Sequence, residues 1–289
     1  SVNERGEAVE PGSYNPSKYI KFLEVKLYYW YLGILKKGWE KIARQAQQEK
    51  GEAYKVIAKQ MSGVGVNENI AKEALKEADL ASTPMGQWTE DTLLPLASAL
   101  RKRTKPMVIA ANKADQPTGK ERVNRLREQF PEYIIIPTSA EGELALREAG
   151  RKGLIKYIPG ENDFSVTEQG QRELSQKQLQ ALQFIKELIL QTYDQGTGVQ
   201  AVLDTVVFDV LKRKAIHPGG VGKLEDSEGN TLPDCFLLKA EATALDFAYA
   251  LHTDFGKNFV KAIDVRTKLP IGKDHRLEHL AIIEIMATK

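Results

Sequence analysis

One cysteine, Cys235, stands in 289 residues, so no disulfide can form within the chain. Only four histidines are present (His217, His252, His275 and His279), and none of them falls in zinc-ligand spacing; a solvated pair explains His275 and His279, which are four apart, better than a metal does. No apolar run exceeds about six residues, too short for a membrane-spanning helix or the core of a signal peptide. Charge of one sign is lacking as well. With 41 Lys and Arg against 39 Asp and Glu, the net charge of +2 argues against wholesale coating of a polyanion. These shortages point to a cytoplasmic protein with no membrane partner, and no DNA is expected among its ligands. At 42% hydrophobic and 28% charged residues, the chain can bury cores for two or three domains.

A further shortage matters more. No G-x-x-x-x-G-K-[ST] string, the loop whose backbone N–H groups cradle nucleotide phosphates, occurs in the sequence. Gly119-Lys120, Gly222-Lys223, Gly256-Lys257 and Gly272-Lys273 lack both the upstream glycine and the following hydroxyl residue. Asp226-Ser227-Glu228-Gly229 has the form of a magnesium-binding D-x-x-G switch, but no apolar strand precedes it, so a polar turn is expected there. No phosphate loop follows Ser139-Ala140, which excludes a circularly permuted arrangement.

What is present is the base-reading half of such a site. Asn112-Lys113-Ala114-Asp115 is an N-K-x-D turn. Its Asp carboxylate can accept two hydrogen bonds from guanine ring and exocyclic nitrogens, a donor pair that adenine lacks, while the Asn fixes the loop and the Lys stem lies over base and ribose. Residues 106–111 (Pro-Met-Val-Ile-Ala-Ala) predict a buried parallel strand delivering the turn to the carboxyl edge of a sheet, where open α/β sheets hold ligands. Thr118 to Glu121 predicts a capping box opening a helix to about Phe130, and Tyr133 to Pro137 a second strand. That strand delivers Thr138, Ser139 and Ala140 to the same edge, with the backbone N–H groups of Ser139-Ala140 facing the guanine oxygen. Two motifs in order, one βαβ unit apart, outweigh the plainer alternative of a βα turn with a capping aspartate.

Upstream, Asn15-Pro16 predicts a helix start, and Ile20, Leu23, Leu27, Trp30 and Ile34 predict a seam for a partner helix. Of the aromatic run Tyr28 to Tyr31, which points around a whole turn, core packing plus amphipathic surface is expected rather than base stacking. Downstream, Ser175 opens a helix carrying Leu179, Leu182 and Ile185, and Thr197 to Leu211 continues helically. From about Val210 the texture becomes short strands around one helix capped by Thr243: Cys235 to Lys239, Phe259 to Ile263 and Ala281 to Met286. A small β-grasp domain is expected. Charge there is uneven, four basic residues and no acid in 212–223, seven acids and one base in 225–254, six bases and two acids in 256–276.

The chain resembles archaeal members of the YchF branch of Obg-related GTPases, also called Obg-like ATPases. The resemblance rests on Gly38-Trp39-Glu40-Lys41, the Ser62 to Asn69 segment, Pro106 to Asp115, Ile136 to Ala140, Tyr157-Ile158-Pro159-Gly160, Leu245-Asp246-Phe247-Ala248 and His252 to Gly256. The last two resemble the ubiquitin-like TGS domain. The resemblance implies an α/β fold, a partial P-loop NTPase domain with a helical, coiled-coil insertion and a C-terminal β-grasp TGS domain. Its divisions would be a G-domain loop over 1–15, the insertion over 16–80, the second half of the G domain over 81–209, and TGS over 210–289. It implies GTP as ligand with ATP as the alternative nucleotide, Mg²⁺ only where an N-terminal portion supplies the phosphate loop and switches, and translation- or ribosome-linked nucleotide hydrolysis. The expectation is thus a sequence that starts partway into the nucleotide domain, with base-binding Asn112, Lys113, Asp115, Ser139 and Ala140 and no catalytic residue to name. The alternative is a non-hydrolysing ribosome- or RNA-binding module that kept its base pocket. For ribosome or RNA contact the candidates are Lys212, Arg213, Lys214, Lys257, Lys261, Arg266 and Lys268, against the plain alternative of a solvated charged surface.

Overall fold

The computed structural model describes residues 15–49, 51–226 and 228–288, so the loop expected over 1–15 lies, except for Asn15, outside the described residues. Two compact units divide after Val199. No helix among the described residues is long and apolar enough to cross a membrane.

The first unit opens with five helices: α1 (Ser17–Lys36), α2 (Trp39–Gln48), α3 (Ala53–Gln60), α4 (Glu68–Glu77) and α5 (Glu90–Thr104). Asn15 starts α1, its Oδ1 accepting from the Ser17 N–H at 3.0 Å while Pro16 takes helical dihedrals. Asn67 caps α4 through the Ile70 N–H, and Thr89 with Thr92 forms a capping box on α5. One core joins all five helices through Tyr31, Leu35, Trp39, Ile57, Met61, Ala74, Leu96 and Leu100, the larger side chains each contributing burial on the order of 1–3 kcal/mol. The seam of α1 differs from its expected positions. Leu23 and Trp30 are exposed at 46% and 50%, and the core face is carried by Tyr31, Leu32 and Leu35, because α5 and α2 lie against that side. The aromatic run is accordingly split: Tyr31 is buried with its hydroxyl on Thr104, Tyr28 half-buried over the Arg101 guanidinium, and Tyr29 and Trp30 outside.

The buried Arg101 ties this layer to the sheet. It donates to the Tyr28 and Tyr133 hydroxyls and to the Lys105 carbonyl, with the Glu24 carboxylate 3.9 Å away. Tyr133 also donates to Glu24. Burial and that carboxylate hold the Tyr133 phenol protonated far above its ordinary range.

There follow β1 (Val108–Asn112), α6 (Gly119–Gln129), β2 (Ile134–Thr138) and α7 (Ala140–Arg151). Strands β1 and β2 pair in parallel with Val108 beside Ile134 and Asn112 beside Thr138, so both motif turns leave the same edge side by side. The burial expected of β1 is not found. Its residues are half-buried or exposed, because β2 is its only strand partner among the described residues. The capping box expected at Thr118 is also absent. Thr118 takes φ −102° and ψ 13°, off the extended geometry a cap needs, and Glu121 pairs instead with Arg125 one turn on. The unit closes with the short antiparallel pair β3 (Ile155–Lys156) and β4 (Ser165–Val166), then α8 (Glu168–Glu173) and α9 (Gln176–Ile185), extended by a π-helical turn over Lys186–Leu190.

The second unit begins in α10 (Val199–Asp204), with its π-helical extension Thr205–Val210, and continues through β5 (Arg213–Pro218), β6 (Phe236–Lys239), α11 (Ala244–Leu251), α12 (Thr253–Lys257), β7 (Phe259–Asp264), β8 (Leu269–Ile271) and β9 (Ala281–Ala287). Sheet order is β6-β5-β9-β7-β8, with only β5 and β9 parallel. Helix α11, capped by a Thr243–Asp246 box, lays Ala244 and Phe247 on Ile216, Ala262 and Ile283. This is the β-grasp arrangement; β5 and β8 add two strands to the three read from sequence.

Candidate nucleotide-base site

The site forms where β1 and β2 end. Leaving β1, the chain turns at Lys113, a non-glycine residue at φ 65°, a conformation that costs about 1 kcal/mol and is held by its surroundings. The Ala114 N–H donates to the Thr138 carbonyl at 3.0 Å, and the Ala114 carbonyl accepts from the Tyr193 hydroxyl at 3.1 Å. Gly119 closes the turn from the other side, donating to the Gln116 carbonyl; a Cβ there would lie 2.1 Å from the Ala114 oxygen, so only glycine fits.

Asn112 does what its motif asks of it. Its Oδ1 accepts the Ala140 N–H at 3.1 Å, so the first motif's asparagine holds the second motif's backbone. Asp115 is half-buried, and among the described residues Gln116 alone donates to its carboxylate, at 3.1 Å, which leaves acceptor capacity open toward solvent. Lys113 is exposed without an ion pair among the described residues. Ser139, 3% exposed, caps α7 through its Oγ to the Gly142 N–H.

One sequence expectation is modified here. The Ser139 and Ala140 N–H groups do not point free into the site: Ser139 donates to the Thr197 carbonyl at 2.9 Å and Ala140 to Asn112. The N–H of Glu141, in the first turn of α7 that Ser139 caps at Gly142, is the neighbouring donor at that edge.

Behind the two turns lies a buried polar cluster that the sequence did not reveal. Glu143, 4% exposed, accepts from the Thr197 hydroxyl at 2.5 Å, the Tyr157 hydroxyl at 2.7 Å and the Arg147 Nε at 2.5 Å. Burial pushes its carboxyl upward, but these three donors overcome that and hold it below the ordinary carboxylate range. Burial and the same carboxylate push the Tyr157 phenol up to about 12. Tyr193 is likewise raised, first by burial and then by the Asp115 charge. The one signal in the sequence was Gly196-Thr197-Gly198, two glycines flanking a threonine, and both take positive φ.

Among the described residues, no group of three or more His, Cys, Asp or Glu could hold a metal ion.

In the second unit the seven basic candidates do not form one cluster. Strand register puts Arg213 at the start of β5 and the β7–β8 turn, with Arg266 and Lys268, toward the same end of the sheet, since Ile216 pairs Ala281 and Asp264 pairs Ile283. Lys212 belongs to that end and is exposed; the Lys214 ammonium is taken by the Leu277 carbonyl at 2.8 Å. Lys257 and Lys261 lie toward the opposite end, near Met286 and Ala287.

Comparison with known proteins fits this geometry. Residues 110–219 match the Obg-like GTPase YGR210-like, G4 motif-containing domain, and residues 228–287 match the TGS domain. A GTP-binding protein of Methanocaldococcus jannaschii is 42% identical over 276 residues, 95% of this chain and 68% of that protein. Another from Schizosaccharomyces pombe is 26% identical over 240 residues, 80% of this chain and 57% of that one. A crystal structure of a GTP-binding protein from Pyrococcus horikoshii is 39% identical and superposes with a TM-score of 0.71, covering 99% of this chain and 75% of its own. The Schizosaccharomyces pombe YchF GTPase, 14% identical with a TM-score of 0.51 over 99% of this chain and 70% of its own, shares the fold.

Proposed function

Because the chain belongs to the Obg-like GTP-binding proteins that join a G4-motif domain to a TGS domain, we propose that its first unit reads the base of a guanine nucleotide. The observation that carries this reading is the Asn112 Oδ1 to Ala140 N–H bond, which locks both base-contacting turns into one site. Asp115 accepts from the guanine ring N–H and exocyclic amine, Lys113 covers the base, and guanine O6 is met by backbone donors at the head of α7. Each hydrogen bond to the charged acceptor contributes about 1.5–3 kcal/mol, and adenine offers neither donor, so guanine is favoured by at least about a hundredfold. ATP is the weaker alternative.

These residues do not themselves supply a phosphate cradle. The 289-residue polypeptide by itself is therefore expected to bind GTP weakly and not to hydrolyse it, with GTP still displacing a labelled guanine nucleotide far better than ATP does. Isothermal titration giving submicromolar GTP affinity, or equal competition by ATP, overturns the reading. Joined to a segment that supplies a phosphate cradle, the same site would serve nucleotide hydrolysis of a translation-linked kind. The alternative is a module that docks on ribosomes without hydrolysis.

The second unit supports an RNA- or ribosome-facing role through the end of its sheet bearing Lys212, Arg213, Arg266 and Lys268. Three or four phosphate contacts give a slope of about −2 to −3 in log affinity against log salt, at about −0.7 per contact. Cosedimentation of the full chain with ribosomes checks this. Charge reversal at Arg213, Arg266 and Lys268 should abolish pelleting at moderate salt, and reversal at Lys257 and Lys261 should matter less; equal pelleting of all variants removes this surface from consideration.

A further inference from the structure

We propose that Thr197 and Glu143 are positioning residues for recognition of the nucleobase 6-oxygen, an inference that rests on the guanine-reading site above. Three hydrogen bonds close a ring around the second motif. The Ser139 N–H donates to the Thr197 carbonyl at 2.9 Å, the Thr197 hydroxyl donates to Glu143 Oε2 at 2.5 Å, and the Glu143 N–H returns to the Ser139 carbonyl at 3.0 Å. All three residues are at least 95% buried, with Thr197 1% exposed, so the ring is shielded from competing water. Gly198 presses the same loop onto β2, where a Cβ would meet the Pro137 carbonyl at 1.9 Å.

The ring has a directional consequence. Ser139 sits between β2 and α7, and the orientation of its peptide sets that of Ala140, whose N–H is held by Asn112, and of Glu141, whose N–H stands at the site edge. A loop acting only as filler needs no hydroxyl at position 197 and no buried carboxylate to receive it. Glu143 also accepts from Tyr157 on the same Oε2 and from Arg147 on Oε1, and these two donors help fix the carboxylate that receives Thr197.

Base chemistry separates this role from that of Asp115. The 6-oxygen is common to guanine and hypoxanthine and is an amine in adenine; the 2-amino group that Asp115 reads is present in guanine alone of the three. A disturbed Ser139–Ala140 turn therefore weakens guanosine and inosine nucleotides together and leaves adenosine nucleotide binding where it was. A disturbed Asp115 weakens guanosine more than inosine nucleotides and so lowers the ratio between them.

The test is equilibrium titration of the full chain with fluorescent GDP, IDP and ADP. Thr197→Val, which keeps shape and removes the donor, is expected to weaken GDP and IDP each about tenfold, to leave their ratio unchanged and to lower the GDP-to-ADP ratio by the same factor; Thr197→Ser restores it. Tyr157→Phe, which removes one support of Glu143 without touching the loop, should shift the same ratio about threefold and covers the case in which Thr197→Val does not fold. An unchanged GDP-to-ADP ratio in folded Thr197→Val or Tyr157→Phe overturns the positioning role. If Asp115→Asn also leaves the GDP-to-IDP ratio unchanged, the guanine-reading site itself is wrong; if it lowers that ratio, only the positioning role fails.

Discussion

Asparagine at position 115 is expected to invert base preference, with xanthosine triphosphate displacing labelled nucleotide better than GTP. The carboxylate only accepts, whereas an amide presents one acceptor and two donors. Guanine then meets an N–H where it needs an acceptor for its second donor, and xanthine, with a carbonyl in place of the 2-amino group, meets a donor it can use. The loss for guanine is one or two charge-assisted hydrogen bonds, about 2–5 kcal/mol, or 30-fold to several thousandfold. Nothing else in the turn has to move. Lys113 is held at φ 65° and Ala114 by Thr138 and Tyr193, and Asp115 accepts only from Gln116 among the described residues, so the substitution breaks no scaffold bond. Competition among GTP, ATP and xanthosine triphosphate in the complete protein checks this, and an unchanged ranking would falsify the assignment of Asp115 as base reader. Substitution of Lys113 is expected to weaken all three nucleotides more evenly.

The largest stability effect is expected at Gly198. A single methyl group there has two faults that cannot be relieved separately. The residue sits at φ 75°, where an L side chain costs about 1–3 kcal/mol, and its Cβ would stand 1.9 Å from the Pro137 carbonyl, a backbone atom already fixed in β2. Either the 196–198 loop lifts away, releasing the Ser139 N–H and the buried Glu143, or the end of β2 shifts. Gly198→Ala is expected to cost about 3–5 kcal/mol and lower the melting temperature of the first unit by on the order of 10 °C. A thermal melt within about 2 °C of the parent would show that the loop does not press on β2.

What the sequence disclosed, and what it withheld, follows from the range of the interactions involved. The paired strands, their parallel order and the position of both motif turns were legible because each rests on local patterning: short apolar runs, a helix of the right length between them, polar turns at their ends. The α11 cap at Thr243 was readable for the same reason. The seam of α1 was not. Its period allowed several faces, and the choice of Tyr31 and Leu35 over Leu23 and Trp30 was made by α5, whose contribution to the same core lies some sixty residues away in the chain. Thr118 through Glu121 had the letters of a capping box, but the approach of Gly119 to Ala114 imposed a different entry into α6. Glu143 looked like any first-turn helix acid. Its role depends on Thr197 and Tyr157, which arrive from separate segments, and no periodicity announces a buried carboxylate with three donors. The basic residues of the second unit were visible as a composition, yet their division between two ends of the sheet is a matter of strand register.

The pairing of Asn112 with Thr138 also sets when this site can exist. The Asn112 side chain and the Ala140 backbone are 28 residues apart, and they meet only after β1 and β2 have closed the intervening loop. Helices α1 to α5 can gather locally and quickly, whereas parallel pairing waits on chain closure before any contact rewards it. During synthesis or refolding the helices are thus expected to form before the base-reading turns meet. The ability to tell one purine from another arrives with the pairing of β2 to β1, as a property of the paired strands rather than of the four-letter motif that advertises it.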